Sequence, residues 1–229
     1  MDYTGPDRAD FANVHSLNRA YLDCLRRARP GLSARQRLAP EFRPLLERLT
    51  DAQMRRLAAA PFLLFSLRES DDAFWMRLFG EQPNRDLFAA IDQPDDDAGK
   101  IVAAALGFLW QLARQNPYAA RIVCGATLNW CEQLAQCTLY RLLERASMEQ
   151  ELLQPRLCDN TEFWARLLSA GLSSEHAVRS AAHLAALQTT LTDRDPAGYR
   201  RLAAAACRIP VETLEVAEKS GDRKQPKKL

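Results

Sequence analysis

Apolar residues recur every three or four positions through most of this chain, and that spacing constrains its fold more than any other feature. The clearest stretch follows Asp10, a suitable helix cap, and its apolar residues are Phe11, Val14, Leu17, Tyr21, Leu22, Leu25 and Ala28. Only nine of the 229 residues are glycine, and Ala, Leu and Arg dominate the regular segments. We therefore predict an all-α fold, with a multi-helix orthogonal or bundle architecture and a long central helix.

Capping and breaking residues predict the helices of the N-terminal half. Thr50 and Gln53 have the spacing of a capping box, in which each residue satisfies a backbone N–H of the other, so we expect a helix over DAQMRRLAAA. Pro61 follows, and proline suits the first position of a helix. We therefore predict a second helix that follows Pro61 and covers FLLFSLRE, residues 62–69.

Proline and acidic residues mark a boundary between two halves of the chain. The predicted regions are an N-terminal helical region at 1–80, a linker or loop at 81–99, a C-terminal helical region at 100–218 and a basic disordered tail at 219–229.

Two similar segments, FWMRLF at 74–79 and FWARLL at 163–168, each follow a cluster of capping residues. Duplication of a helical unit explains this echo, and so does coincidence between two amphipathic helices. Both explanations stay open.

Three of the six cysteines lie within CGATLNWCEQLAQC. We predict one long helix from Asn116 to about Met148, on which Cys124 and Cys131 share the buried face, about 10 Å apart along the axis. That separation is too long for a disulfide or a shared metal, and the sequence has no CxxC. We therefore interpret these thiols as buried packing groups.

The motifs of catalytic and metal sites are missing from the sequence. His176 and His183 are seven positions apart, whereas one helix chelates a metal through histidines four apart. The sequence also lacks a P-loop, a GxSxG and an ExxH pair. We predict no catalytic residue, no metal site, no cofactor and no enzymatic activity. The alternative is a small-molecule sensor or enzyme with an apolar pocket lined by Phe108, Trp110 and Trp130.

The net charge is only +2, but basic residues concentrate at the C-terminus. Those of the last eleven positions are Lys219, Arg223, Lys224, Lys227 and Lys228. Such a tail attracts nucleic acid or an acidic partner, or keeps the chain in solution. It follows LAAAACRIPVETLEVA, whose apolar positions match a helix-turn-helix although Arg208 stands where glycine is usual. Direct DNA binding through Arg208 and the basic tail is therefore an alternative function.

The compartment is predicted from two further features. The chain begins without a signal-peptide pattern, and its most apolar run, residues 101–110, is shorter than the roughly 20 residues that span a bilayer. Cysteines outside any tight disulfide framework are typical of reduced thiols. We predict a cytoplasmic protein without a membrane partner.

Positions between residues 11 and 75 follow the order of one known family. They are Asn18, Tyr21-Leu22, Arg37-Leu38, Leu49-Thr50, Gln53-Met54, Leu57-Ala58, Leu63-Leu64, Leu67-Arg68 and Asp71. The patterns N-x-x-Y-L, R-L and L-T-x-x-Q-M-x-x-L-A resemble those of the flagellar transcriptional activator FlhD family. The resemblance covers less than a third of the chain, Phe65 stands where some members have cysteine, and residues 81–229 have no counterpart.

The resemblance implies a small all-α bacterial regulator that dimerises through its N-terminal helices and acts on promoters with a partner subunit, FlhC. It transfers no DNA-contacting residue to this sequence. The apolar stripe available for dimerisation comprises Leu17, Tyr21, Leu25, Met54 and Leu57, and the alternative is that this stripe packs inside the monomer. We predict a helical regulatory protein that works through protein contacts, as a homo-oligomer, with a transcription component as partner.

Overall fold

The computed structural model describes residues 5–27, 38–80, 97–147 and 152–192. Its α-helices are α1 (Arg8–Arg27), α2 (Arg43–Glu47), α3 (Asp51–Ala58), α4 (Asp72–Gly80), α5 (Asp97–Gln115), α6 (Pro117–Cys124), α7 (Leu128–Gln136), α8 (Leu139–Ser147), α9 (Thr161–Leu168) and α10 (His176–Thr192). A short 3-10 helix covers Ala170–Leu172. Two strands, β1 (Phe65–Ser66) and β2 (Gln154–Pro155), form an antiparallel pair. The predicted all-α class is confirmed.

One hydrophobic core draws on both predicted halves. Leu22 and Met54 belong to it, and so do Leu106 and Trp164, all of them buried. The chain divides into a compact unit over Met1–Leu191 and a second unit over Thr192–Leu229. Described residues on both sides of the predicted linker at 81–99 thus contribute to one core.

The start of α3 follows from its capping residues. The Thr50 hydroxyl accepts a hydrogen bond from the backbone N–H of Gln53 at 3.3 Å, and the Gln53 side chain accepts one from the N–H of Thr50 at 2.9 Å. This reciprocal arrangement satisfies two N–H groups that a helix start otherwise leaves without partners. The predicted capping box is confirmed.

The prediction of a helix over residues 62–69 is wrong, because the segment is extended and contains β1. Its backbone groups find partners in distant parts of the chain instead of within a helix. The Asn18 side chain donates to the carbonyl of Phe62 at 2.8 Å and accepts from the N–H of Leu64 at 2.8 Å. The N–H of Leu63 donates to the carbonyl of Val123 at 2.9 Å. These contacts compensate the backbone for the missing helical bonds.

The predicted long helix from Asn116 to Met148 is wrong as well, since the segment forms α6, α7 and α8. Gly125 ends α6 in the left-handed conformation, with φ of +64°. Thr127 then caps α7 by accepting a hydrogen bond from the N–H of Trp130 at 3.2 Å. A glycine followed by a threonine cap is an ordinary end-and-restart signal between helices.

The described elements recur at a nearly constant interval along the chain. α5, β2 and α9 begin 89 residues after α1, β1 and α4 respectively, and α8 begins 88 residues after α3. Both α1 and α5 are long, and α1 packs against α3 as α5 packs against α8. The sequence echo between residues 74–79 and 163–168 is therefore one part of a longer structural repeat, which favours duplication over coincidence.

Local geometry repeats at the same interval. The Trp75 indole N–H donates to the carbonyl of Leu67 at 3.2 Å, and the Trp164 indole N–H donates to the carbonyl of Arg156 at 2.8 Å. Each bond spans eight residues and closes the turn between a strand and the following helix. Among the described non-glycine residues, those with positive φ are Arg68 at +55° and Leu157 at +47°, again 89 positions apart.

Candidate functional site

The predicted dimer stripe lies inside the chain. Leu17, Tyr21, Met54 and Leu57 are buried in the core, and Leu25 is partly buried against it. The cause is the packing of α1 against both α3 and α5, which covers the apolar face of α1. The alternative of packing within the monomer therefore applies to these residues, which are not exposed to a second chain in this fold.

The tryptophans predicted to line an apolar pocket have neighbours inside the fold, and the residues predicted to contact nucleic acid lie elsewhere in the chain. Trp130 is buried and packs edge-on against Trp75, with ring centroids 5.1 Å apart. The Trp110 indole N–H donates to the carbonyl of Cys137 at 2.7 Å, whereas the buried Trp130 indole nitrogen has no hydrogen-bond partner among the described residues. The candidate nucleic-acid residues, which lie outside the described residues, are Arg208, Lys219, Arg223, Lys224, Lys227 and Lys228.

Two classes of site are not found in the part of the chain that the structure describes. Within it, no group of three or more His, Cys, Asp or Glu side chains could hold a metal ion. Among the same residues, no helix combines the length and the apolar character that crossing a membrane requires.

Glu69 and Arg156 form an ion pair that is buried in the interior. The Arg156 Nη1 and Glu69 Oε1 atoms are 3.0 Å apart, and the exposed fractions of the two side chains are 3% and 1%. Taking two charges out of water is costly unless each ion also gains hydrogen bonds. The surroundings of both side chains meet this condition.

Hydrogen bonds from the backbone complete the ion pair. The Arg156 guanidinium donates to the carbonyls of Leu63 and Phe65, while the Arg156 backbone N–H donates to the carbonyl of Leu64 at 3.0 Å. On the other side, Glu69 Oε2 accepts from the Ser66 hydroxyl and from the N–H of Leu67, both at 2.6 Å. Each charge is thus held by groups from the extended segment and by the opposite ion.

The buried cysteines are confirmed, but the predicted geometry is wrong. Cys124 and Cys131 are 1% and 0% exposed. They belong to α6 and α7 instead of one helix, and a hydrogen bond joins the two thiols, so they do not stand about 10 Å apart along one axis. That hydrogen bond and the burial of the group raise the pKa of the Cys131 thiol. A thiol of raised pKa is a poor nucleophile at neutral pH.

The geometry of the Glu69–Arg156 centre suits positioning more than catalysis. Both ions are almost inaccessible to solvent, and both are held by contacts to the segment over residues 63–69 and to each other. A charge network of this kind fixes which segments meet, because removing one partner leaves the other buried alone. The centre therefore holds β1 and β2 in register.

Sequence reasoning missed this centre, although signals for it exist. Glu69 ends the stretch FLLFSLRE, and Arg156 stands three residues after Leu153 in the pair Leu152-Leu153, which lies 89 residues after Leu63-Leu64. Aligning the two stretches would have placed the two charges two positions apart. Comparison with known proteins found no matching family model, no matching curated protein and no matching solved structure.

Proposed function

We propose that this protein is a helical regulator that acts through protein–protein contacts in a transcription-related role. The observation that supports the proposal is that residues carrying the FlhD resemblance are neighbours in the fold. Asn18 donates a hydrogen bond to the carbonyl of Ala58 at 3.2 Å and accepts one from the backbone N–H of Leu64 at 2.8 Å, and all three residues belong to the matching positions. Residues that resemble a family pattern by chance need not form one packing unit.

A partner contact on α4 fits this role. Met76 lies on α4 and exposes 68% of its surface, the largest fraction among the exposed large apolar residues described. Methionine is enriched at protein interfaces because its flexible, polarisable side chain adapts to many shapes. Arg77 follows it and is also exposed, which adds a second residue type that interfaces favour.

Affinity capture with purified full-length protein tests the proposal. The bait is incubated with lysate of its native host, and the co-purifying proteins are identified by mass spectrometry. We expect a transcription component to be retained, and we expect Met76→Glu to lower its recovery at least about tenfold, since a charge at a buried contact costs more than 1.4 kcal/mol.

Ala165 offers the matched control, because it is exposed on α9 at the position 89 residues after Met76. Ala165→Glu should leave capture unchanged if the contact lies on α4. A protein that is strictly monomeric by light scattering at micromolar concentration and retains no transcription component would contradict the proposed function.

The homo-oligomer implied by the resemblance remains part of the proposal, but its surface has to change. The predicted stripe is covered by the chain's own helices, so a homo-oligomer would use exposed residues elsewhere. The mass measured by light scattering, compared with 25.8 kDa for one chain, distinguishes the two states.

A further inference from the structure

The strand pair shows how the two copies of the repeat meet. β1 pairs with its own counterpart, β2, with Phe65 opposite Pro155 and Ser66 opposite Gln154. Because β2 stands 89 residues after β1, exchanging the two strands reproduces the same antiparallel register. Two identical strands that pair in this way are related by a local twofold axis, as in a symmetric dimer.

Contacts on either side of the strand pair are exchanged between the copies. The Arg56 guanidinium on α3 donates to the carbonyl of Leu172 at 3.1 Å, in the 3-10 helix that follows the second copy. Conversely, the Arg141 guanidinium on α8 donates to the carbonyl of Phe79 at 3.1 Å, at the end of the first. The helices α1 and α5, which are counterparts, also pack against one another. Side-chain hydrogen bonds and helix packing thus join the two copies in addition to the strand pair.

The charged centre breaks this symmetry. The position equivalent to Arg156 in the first copy is Leu67, and the position equivalent to Glu69 in the second copy is Cys158. If two first copies paired, Glu69 would face Leu67 in place of arginine. If two second copies paired, Arg156 would face Cys158 in place of a carboxylate. Either arrangement buries a charge without its ionic partner, which is strongly unfavourable.

We propose that residues 8–80 and 97–169 are two copies of one helical unit, and that the Glu69–Arg156 ion pair makes each copy pair with the other instead of with a second copy of itself. The chain then serves as a dimer built within one polypeptide. Discrimination of this kind works by penalising the wrong pairs as well as by stabilising the right one. The inference does not depend on which partner the proposed regulator binds.

A chain that can be cut between the copies tests the inference. A protease recognition sequence is inserted at residue 88 of the full-length protein, and the folded protein is cleaved, unfolded in denaturant and refolded. Native mass spectrometry then counts mixed pairs and like pairs of the two fragments, which differ in mass. We expect mixed pairs to exceed the statistical mixture by about 100-fold or more, which corresponds to the loss of a buried ionic partner.

The double variant Glu69→Cys with Arg156→Leu, kept under reducing conditions, makes the two copies alike at both positions. We expect like pairs to rise at least about tenfold over the unmodified protein, because neither wrong pair then buries a lone charge. Glu162→Ala with Arg166→Ala is the matched control. It removes an ion pair whose side chains are 81% and 39% exposed and which lies within one copy. The control should keep the original preference.

Three outcomes would overturn the inference: fragments of the unmodified protein that fail to pair, like pairs as frequent as mixed pairs, or a double variant as selective as the original. The reversed pair, Glu69→Arg with Arg156→Glu, gives a second measurement if the first variant does not fold. When the cut reversed and unmodified proteins are mixed, each fragment should choose the partner of its own protein. Free exchange between the two sets would count against the ion pair.

Discussion

At the scale of single residues, replacing glycine with alanine should have opposite effects on stability at two positions. Gly125 has φ of +64°, and a Cβ there would stand 2.4 Å from Thr190 Cγ2, whereas a Cβ on Gly107 in α5 meets nothing within 4 Å. We expect Gly125→Ala to lower the free energy of unfolding by about 1–3 kcal/mol. Gly107→Ala should raise it by about 0.5–1 kcal/mol. Urea denaturation measures both changes, and equal effects would contradict this assignment.

The thiols of Cys124 and Cys131 give a second prediction for individual residues. Because both are buried and joined by a hydrogen bond, we expect little reaction with an alkylating reagent in the native protein and full reaction in denaturant. Cys24 is partly exposed and supplies an internal control that should react before the buried pair. Mass spectrometry of digested protein assigns each modified thiol. Rapid native labelling of the buried pair would refute their packing role.

For individual elements, Asn18 connects α1 to the extended segment. Its side chain donates to the carbonyls of Ala58 and Phe62 and accepts from the N–H of Leu64. Asn18→Leu leaves these buried groups without that partner, so we expect the free energy of unfolding to fall by about 2–4 kcal/mol. Hydrogen exchange should then speed up most within residues 58–64.

Ser16 is the matched control on the same helix. Its hydroxyl donates to the carbonyl of Ala12 on the exposed side, and Ser16→Ala should change stability by less than about 0.5 kcal/mol. A similar loss of stability in both variants would mean that Asn18 stabilises helix α1 itself and not the contact between α1 and the extended segment.

The same elements show what could be predicted from sequence. The α3 start was predictable because a capping box lies within four consecutive residues, Thr50 to Gln53. The extended segment was not, because its partners Asn18, Val123 and β2 lie far away in sequence. Gly125 could have predicted the end of α6. The helical spacing of apolar residues on both sides of it favoured one continuous helix instead.

For the whole molecule, stability should depend on pH through His183 on α10. Burial lowers the pKa of this imidazole to about 4, with smaller contributions from Arg179 and His15. The unfolded chain therefore takes up a proton near pH 6.5, before the folded chain does. We expect full stability above about pH 6.5 and a progressive loss towards pH 4, amounting to about 2 kcal/mol.

Urea denaturation at a series of pH values measures this dependence. His183→Phe should remove most of the slope between pH 4 and 6.5 and leave the part that comes from His15, whose pKa is also lowered by burial. His176→Asn, at an exposed position, should leave the slope unchanged. A slope that persists undiminished in His183→Phe would assign the effect to other groups.

The boundary predicted at residues 81–99 falls between the two proposed copies, whereas the predicted C-terminal region, 100–218, extends beyond the second copy at 97–169. The FWMRLF and FWARLL echo pointed to duplication, yet nothing local in the sequence shows that the copies exchange contacts. Such contacts are non-local: the Arg56 side chain reaches Leu172, and Glu69 reaches Arg156. The Glu69–Arg156 ion pair was missed for the same reason: the sequence shows both charges, but their contact and their burial depend on the assembled core.

The pairing of β1 with β2 also sets an order of events during synthesis. Residue 65 leaves the ribosome about 90 residues before its partner, residue 155, which at a translation rate of 5–20 residues per second is a wait of roughly 5–20 s. Throughout that interval β1 lacks its partner strand, and Glu69 lacks Arg156. Closing so long a loop is also a slow folding step. The nascent chain is therefore most vulnerable to aggregation before the second copy has emerged.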